Sequence, residues 1–221
     1  MTTRFRDRIA AGQQLANRLQ EYVDRPNVLV LGLPRGGVPV AHQVAQALEV
    51  PLAICLVRKL GVPGHKEIAM GAIASGGVRV LNQNVIDWLK ISDRAIDQVA
   101  EGELQELRRR ERAYRGDRPR PTIEHQTVIL IDDGLATGAT IRAAIAALKT
   151  QQPEEIIVAV PVAPKAVYQE LQSEVDKVVV LSTPEPFNAI GLWYENFDQT
   201  TDQEVQSLLA HPPESALSLN L

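Results

Sequence analysis

The chain has 221 residues, of which 45% are hydrophobic and 23% are charged, as in a globular protein with one sizeable core. Its net charge of −4 gives no basic field that would attract nucleic acid, and no stretch approaches the ~20 apolar residues that cross a bilayer, so we expect neither a nucleic-acid nor a membrane partner. The single cysteine, Cys55, excludes an internal disulfide, and its apolar neighbours indicate a core residue of a cytoplasmic protein. The polar first ten residues, MTTRFRDRIA, predict no signal peptide.

Hydrophobic periodicity predicts alternating helices and strands in the first part of the chain. Short continuous apolar runs indicate strands that are buried on both faces, and Gly and Pro mark the loops between them. In chain order, the predicted elements are a helix over 5–23, a strand over 28–31, a helix over 38–48, a strand over 51–57, a loop over 58–66 and a hairpin of 68–74 with 78–81.

The second part of the chain continues this alternation. Its predicted elements are a helix over 93–114, a strand over 127–131, a helix over 141–149, a strand over 156–160, a helix over 165–172, a strand over 177–181 and a helix over 201–209. Strands that alternate with helices predict an α/β fold, with a parallel twisted sheet flanked by helices. We expect one domain over 1–221, with its core at about 27–182, a helical insertion at about 82–126 and a C-terminal flap, or hood, at about 183–210.

The segment Val128–Thr140, VILIDDGLATGAT, carries the strongest functional pattern. Its buried strand ends in Asp132 and Asp133, and ligands of parallel sheets bind beyond the carboxyl ends of the strands. Carboxylates in that place accept hydrogen bonds from vicinal hydroxyls or hold a hydrated Mg²⁺. Gly134 and Gly138 then let the backbone approach a ligand closely.

The residues after the carboxylates favour an anion. Thr137 and Thr140 add hydroxyl groups, and the loop leads into a helix N-terminus, whose N–H groups and dipole attract phosphate. Hydroxyl or metal acceptors followed by a phosphate cradle match the layout of a sugar phosphate. The segment fits neither a Walker loop, because no lysine follows its second glycine, nor a dinucleotide fingerprint. A helix-capping turn that happens to carry two aspartates is the structural alternative.

This segment resembles the phosphoribosyl pyrophosphate signature of the type I phosphoribosyltransferases at nearly every position. The resemblance implies that the ligands are phosphoribosyl pyrophosphate and a small-molecule acceptor, with Mg²⁺ as cofactor. It implies that Asp132 and Asp133 bind the ribose hydroxyls, directly or through the metal. The residues that would wrap the 5′-phosphate are Ala136, Thr137, Gly138, Ala139 and Thr140.

A second segment, LGLPRGG at 31–37, follows the first predicted strand and opens a helix. It is similar to the pyrophosphate loop of the same family, and Arg35 provides a planar, multidentate donor for phosphate oxygens. Gly36 and Gly37 allow close backbone approach, and Pro34 precedes the arginine. Without the signature segment in the same chain, a tight turn with a solvated arginine would be the simpler interpretation.

A third feature is Arg58-Lys59, at the start of a predicted loop. In the family, a mobile loop after the second strand closes over the reacting centre, so the resemblance implies that these cations neutralise the departing pyrophosphate. His65 and Lys66 lie further along the same predicted loop. For them, a role at the reacting centre and a solvated basic turn are equal alternatives. The arginine-rich run at 108–112 is interpreted as the solvated face of a helix rather than an RNA site, because no aromatic residues interleave it.

The reaction implied by the resemblance is displacement of pyrophosphate from C1 of phosphoribosyl pyrophosphate by a nitrogen nucleophile. Catalysis would come from electrostatics and positioning, because positive charge develops on the ribose while negative charge builds on the leaving group. The residues expected to provide these effects are Arg35, Arg58, Lys59, Asp132 and Asp133.

The acceptor is left open by the sequence. Family enzymes that use 6-oxopurines usually carry an aspartate where this chain has Ala136, which argues against hypoxanthine and guanine. Lys165 argues the other way, because oxopurine enzymes use a lysine after the corresponding strand. An aromatic segment near the C-terminus could stack a flat base, or could equally form a satellite core, through Phe187, Trp193 or Tyr194.

Two functions compete: an active transferase, for example in nucleotide salvage, and a non-catalytic module that senses phosphoribosyl pyrophosphate or a nucleotide. Arg35, Arg58 and Lys59 favour the enzyme, because sensing domains of this fold often lose such cations. The missing Walker lysine argues against a kinase or nucleotide hydrolase. Many members of the family are dimers, and the helix over 93–114 could supply a homodimer interface.

Overall fold

The computed structural model describes residues 4–116 and 118–210. They form two compact units. The first unit contains the described residues up to Ile54 together with 120–138 and those from Pro153 onward, and the second contains the described residues of Cys55–Pro119 with Ala139–Gln152. No helix in these ranges is both long and apolar enough to span a bilayer. The single-domain organisation and its core, insertion and hood bounds remain predictions.

Helices and strands alternate along most of the described chain. In chain order they are α1 Arg8–Ala16, β1 Val28–Gly32, α2 Gly37–Leu48, β2 Leu52–Ile54, β3 Val57–Val62, β4 His65–Ala74, β5 Arg79–Leu81, α3 Gln83–Leu89, α4 Asp93–Arg115, β6 Thr127–Ile131, α5 Ala139–Lys149, β7 Glu155–Val162, α6 Lys165–Leu171, β8 Lys177–Ser182 and α7 Asp202–Ala210. Short 3-10 helices lie at Gln20–Tyr22 and Ile190–Trp193.

The first unit is built on a parallel sheet of strand order β2-β1-β6-β7-β8. Every residue of β1 and β6 is buried, which explains their continuous apolar sequences, VLVLG and TVILI. Helices pack on this sheet, and the predicted α/β fold is confirmed. Among the residues of its core are Leu15, Leu19, Val30, Val44, Leu48, Ile129, Ile131 and Ile157.

The second unit contains an antiparallel sheet of order β3-β4-β5, and it corrects two predictions. The strand expected over 51–57 ends at Ile54. The segment 58–66 is not a loop but holds most of β3, the turn and the first two residues of β4. Gly and Pro predicted a loop here, but in the structure these residues lie within the hairpin. Gly61 lies where the β3–β4 register shifts, and Gly64, with φ of 79°, lies in the turn.

Two helices differ from their predictions because of capping. The helix expected over 5–23 spans only Arg8–Ala16. It begins at Arg8, since the Asp7 carboxylate accepts a hydrogen bond from the Ala10 N–H at 2.7 Å. The helix α3 was not predicted from the periodicity. Asn82 caps it by accepting from the Val85 N–H at 3.3 Å, a signal that the sequence does contain.

We expect Cys55 to resist alkylation in the folded protein. Burial raises the pKa of its thiol to about 12, so about one molecule in ten thousand carries the reactive thiolate at pH 8. Iodoacetamide treatment followed by mass spectrometry should show no modification in buffer and complete modification in urea. Rapid labelling of the folded chain would contradict the buried position of this residue.

Candidate active site

The carboxyl ends of β1 and β6 meet at one edge of the parallel sheet. Gly32 lies opposite Ile131 in the strand register, and the Leu33 N–H donates to the Ile131 carbonyl at 2.9 Å. The loops that follow these neighbouring strands therefore start side by side. One loop carries the predicted pyrophosphate segment and the other carries the acid pair.

The two loops touch through glycine. A Cβ at position 36 would lie 1.9 Å from Oδ2 of Asp133, and a Cβ at position 37 would lie 2.8 Å from Cα of Asp132. Gly36 has a φ of −62°, which any residue can adopt, so the glycine is required by space and not by the backbone. The structure thus brings the two predicted motifs into direct contact.

The two carboxylates have different environments. Asp133 is buried, with 8% of its surface exposed, whereas Asp132 is half-buried. Oδ1 of Asp132 accepts a hydrogen bond from the Asp133 N–H at 2.9 Å. Burial raises the pKa of Asp132, and the neighbouring carboxylate raises it further. Burial also raises the pKa of Asp133, against the opposing effect of a nearby arginine.

That arginine is Arg8, the first residue of α1, and the sequence motifs gave no sign of it. Its Nε donates to Oδ2 of Asp133 at 2.8 Å. On the other side of the same residue, the Tyr194 hydroxyl donates to the Asp133 carbonyl at 2.6 Å, and burial raises the pKa of this phenol. Asp133 is therefore tied to two segments that lie far from it in the sequence.

The predicted phosphate loop leads from β6 into α5. Gly134 is buried, and a Cβ there would lie 2.6 Å from Cγ2 of Ile190. Gly138 has a φ of 74°, in the left-handed region that favours glycine, and Ala139 then begins the helix. Four other residues of the predicted loop are exposed: Ala136, Thr137, Ala139 and Thr140.

Arg35 lies between β1 and α2, as the sequence predicts, and is half-buried. The Pro34–Arg35 peptide bond is cis, for which the sequence gave no signal. Nη1 of Arg35 lies 3.6 Å from Oδ1 of Asp202, at the start of α7. Because both side chains are partly exposed, at 34% and 44%, this ion pair contributes little to stability, and the arginine can exchange the carboxylate for phosphate oxygens.

The second unit holds the two cations predicted in the segment 58–66. Arg58 and Lys59 lie in β3 and not in a loop, and Nε of Arg58 donates to Oε2 of Glu103 on α4 at 2.6 Å. Lys59 is exposed, and its Nζ donates to the Glu67 carbonyl at 3.3 Å. On α4, hydrogen bonds from Arg109 and Arg110 lower the pKa of Glu106 to about 2, which fits the solvated, ion-paired helix face that the sequence predicts.

The residues predicted to meet the acceptor are in the first unit. Lys165 is exposed at the first position of α6. Phe187 and Trp193 stack with ring centroids 6.3 Å apart, and both are half-buried. They pack against a small cluster that includes Phe5 and Tyr194, so the satellite core that the sequence allowed does form.

The acid pair is the candidate site for a metal ion. Among the described residues, no group of three or more His, Cys, Asp or Glu side chains could hold one. Mg²⁺, however, is often bound by one or two carboxylates together with substrate oxygens. Asp132 and Asp133 supply that donor set, so the residues present fit Mg²⁺ that binds together with a phosphorylated substrate.

Comparison with known proteins gives one family. The phosphoribosyl transferase domain matches residues 3–191. The chain is 44% identical over 205 residues to Rv0571c of Mycobacterium tuberculosis strain H37Rv, a provisionally named phosphoribosyl transferase, and to its counterpart MT0597 of strain CDC 1551. These matches cover 93% of the chain but 46% of each relative, so the chain spans about half the length of the curated relatives it matches.

The chain is also similar to solved structures. The chain is similar to TT1426 from Thermus thermophilus, with a TM-score of 0.86 and 39% identity over 96% of this chain and 100% of that one. A likeness to AQ2163 from Aquifex aeolicus, with a TM-score of 0.51 and 11% identity over 83% and 78% of the two chains, shows a shared fold alone. The chain belongs to the phosphoribosyl transferase family, which confirms the predicted family and, at the level of this domain, the predicted enzyme class.

Proposed function

We propose that the protein transfers the 5-phosphoribosyl group from phosphoribosyl pyrophosphate to a nitrogenous acceptor, a nucleobase, and releases pyrophosphate. The observation that carries the proposal is the contact between Gly36 and Asp133. It brings a segment suited to binding pyrophosphate against a carboxylate suited to binding ribose. In phosphoribosyl pyrophosphate, the pyrophosphate and the ribose are joined at C1.

The acid pair would hold the sugar. Asp132 and Asp133 would accept hydrogen bonds from the 2′- and 3′-hydroxyls, and their negative charge would stabilise the cationic ribose that forms as the C1–O bond breaks. If Mg²⁺ is bound there, it supplies positive charge that offsets the charge on the leaving pyrophosphate. The loop residues 136–140, which are exposed except for Gly138, would bind the 5′-phosphate, supported by the N-terminus of α5.

The predicted cations would bind the leaving group. Arg35 would take two pyrophosphate oxygens in place of its long contact with Asp202, supported by the close packing of Gly36 and Gly37 against the acid pair. We propose the same role for Arg58 and Lys59. Both residues lie in strand β3.

We expect Arg35→Ala to lower turnover more than affinity. The guanidinium is needed most when charge develops on the departing pyrophosphate, so kcat should fall about 100-fold while the KM for phosphoribosyl pyrophosphate rises by less than about tenfold. Arg35→Lys is the matched control, because it retains the charge but not the planar fork, and it should recover part of kcat. Equal activity of the alanine variant and the parent would remove Arg35 from the mechanism.

The acceptor is proposed to contact Lys165, Phe187 or Trp193. A panel of purine and pyrimidine bases, incubated with phosphoribosyl pyrophosphate and Mg²⁺, would identify it through pyrophosphate release. We expect one base to support turnover far above the rate with water. Because Ala136 replaces the aspartate of 6-oxopurine enzymes, we expect that base not to be hypoxanthine or guanine.

A non-catalytic sensor of phosphoribosyl pyrophosphate is the alternative. It is favoured by the pairing of Arg35 with Asp202 and of Arg58 with Glu103, because both candidate cations already contact a carboxylate. The panel separates the two functions: binding of phosphoribosyl pyrophosphate without turnover on any base, amine or water would support the sensor. With the transferase function we also propose a cytoplasmic role in nucleotide salvage and a homodimeric state. Light scattering would test the homodimer.

A further inference from the structure

We propose that Arg8 is a positioning residue that fixes the Asp133 carboxylate for binding the ribose of phosphoribosyl pyrophosphate, an inference that rests on the function proposed above. The bond from Nε of Arg8 to Oδ2 of Asp133 is 2.8 Å long, and each side chain is only 12% exposed. A charge-assisted hydrogen bond in so dry a place is stronger than one at the surface, and it holds the carboxylate in one orientation. Because this bond uses Oδ2, we assign the ribose hydroxyl to Oδ1 in this proposal.

The guanidinium of Arg8 is itself held on its other sides. Its Nη1 donates to the Asp198 carbonyl at 2.7 Å, and its Cζ lies 3.9 Å from the centroid of the Phe197 ring. The stacked ring and the carbonyl leave the arginine little rotational freedom. A side chain held on three sides can transmit a fixed geometry to the carboxylate that it contacts.

The backbone around Arg8 is fixed in the same way. The Phe5 N–H donates to the Trp193 carbonyl at 2.9 Å, and the Glu195 N–H donates back to the Phe5 carbonyl at 2.8 Å. Asp7 then caps α1, which begins with Arg8. The aromatic segment near the C-terminus therefore has a second task besides any contact with a base: it anchors the residues that orient the acid pair.

The test compares three arginine variants by isothermal titration with phosphoribosyl pyrophosphate and Mg²⁺, below the unfolding temperature of each protein. We expect Arg8→Ala to raise Kd by about 10- to 100-fold, as for other residues that orient a ligand-binding group. Arg8→Lys, which keeps the charge, should recover part of this loss. Arg6→Ala is the matched control, because the Arg6 side chain is 69% exposed and pairs with its neighbour Asp7 at the surface, so it should leave Kd unchanged.

A double-mutant cycle separates positioning from general stability. If Arg8 acts through Asp133, Arg8→Ala should cause no further loss of affinity in an Asp133→Asn background. A lower unfolding temperature with unchanged Kd, or an equal loss of affinity in both backgrounds, would overturn the inference while leaving the proposed function intact. If the parent protein itself binds no phosphoribosyl pyrophosphate, the proposed function and this inference fail together.

Discussion

Asp133→Asn is expected to weaken binding of phosphoribosyl pyrophosphate by about 10- to 100-fold, since a hydrogen bond to a charged acceptor is worth about 1.5–3 kcal/mol. It should also lower the free energy of unfolding by roughly 3 kcal/mol, because the largely buried guanidinium of Arg8 loses its counter-charge. Titration calorimetry and urea unfolding measure the two effects separately. Both losses come from one side chain, which faces Arg8 with one oxygen and, in our proposal, the ribose with the other.

The matched control for this change is Asp97→Asn. The Asp97 side chain is 68% exposed and pairs with Arg79 at the surface, so the loss of its charge should alter neither affinity nor stability by more than about 1 kcal/mol. If Asp133→Asn binds phosphoribosyl pyrophosphate as tightly as the parent, Asp133 does not contact the ribose, and Asp132 would have to carry that role alone.

Gly36→Ala is expected to lower kcat/KM by at least about 100-fold, the usual effect of displacing a catalytic group by about 1 Å. The added Cβ would lie 1.9 Å from Oδ2 and 2.6 Å from Cγ of Asp133, far inside contact distance, so the carboxylate or the loop must move. The backbone conformation at Gly36 is acceptable for alanine, which leaves steric displacement as the cause. Steady-state kinetics and circular dichroism would show lost activity in a folded protein.

Gly102→Ala provides a matched control within α4. Apart from the adjacent residues and the backbone of α4 itself, no atom lies within 4 Å of a Cβ built at that position. The substitution should therefore stabilise the helix by about 0.5–1 kcal/mol and leave activity unchanged. A Gly36→Ala protein with parental kcat/KM would show that activity does not need the contact between the two loops. That contact would then no longer support the proposed function.

The sequence predicted the parts of the fold that depend on local pattern. The continuous apolar runs of β1, β6 and β7 identified strands buried on both faces, and their alternation with helices identified the parallel sheet. The acid pair at the end of β6 followed from the same reasoning, because the carboxyl edge of such a sheet is where ligands bind. Gly134 and Gly138 were predicted to let the backbone approach a ligand closely. The structure gives each a different reason to be glycine: a Cβ at Gly134 would meet Ile190, and Gly138 has a positive φ.

Composition was a weaker guide where glycine and proline serve a strand. In the segment 58–66 they mark a register shift and a hairpin turn, and the alternation of the buried Leu60 and Val62 with less buried neighbours was the better signal. The helix α3 spans only seven residues and buries only Ile86, so it is too short to show a helical period, and the cap at Asn82 was its one marker.

The ionic partners of the site could not be predicted from its motifs. The partner of Asp133 comes from α1, 125 residues away, the partner of Arg35 comes from α7, and the partner of Arg58 comes from α4. Each is a single charged residue on a helix, where the pattern indicates only a solvated face. Tertiary packing alone brings these partners to the site, so only the structure identifies them.

The most direct test of the proposed site is a crystal structure of the protein with ribose 5-phosphate and Mg²⁺. We expect the ribose hydroxyls within hydrogen-bond distance of the Asp132 or Asp133 carboxylate, or joined to them through the metal, and the phosphate against the backbone N–H groups of residues 137–140. A sugar phosphate bound elsewhere, with Asp133 still held by Arg8 and its other oxygen facing protein, would contradict this assignment.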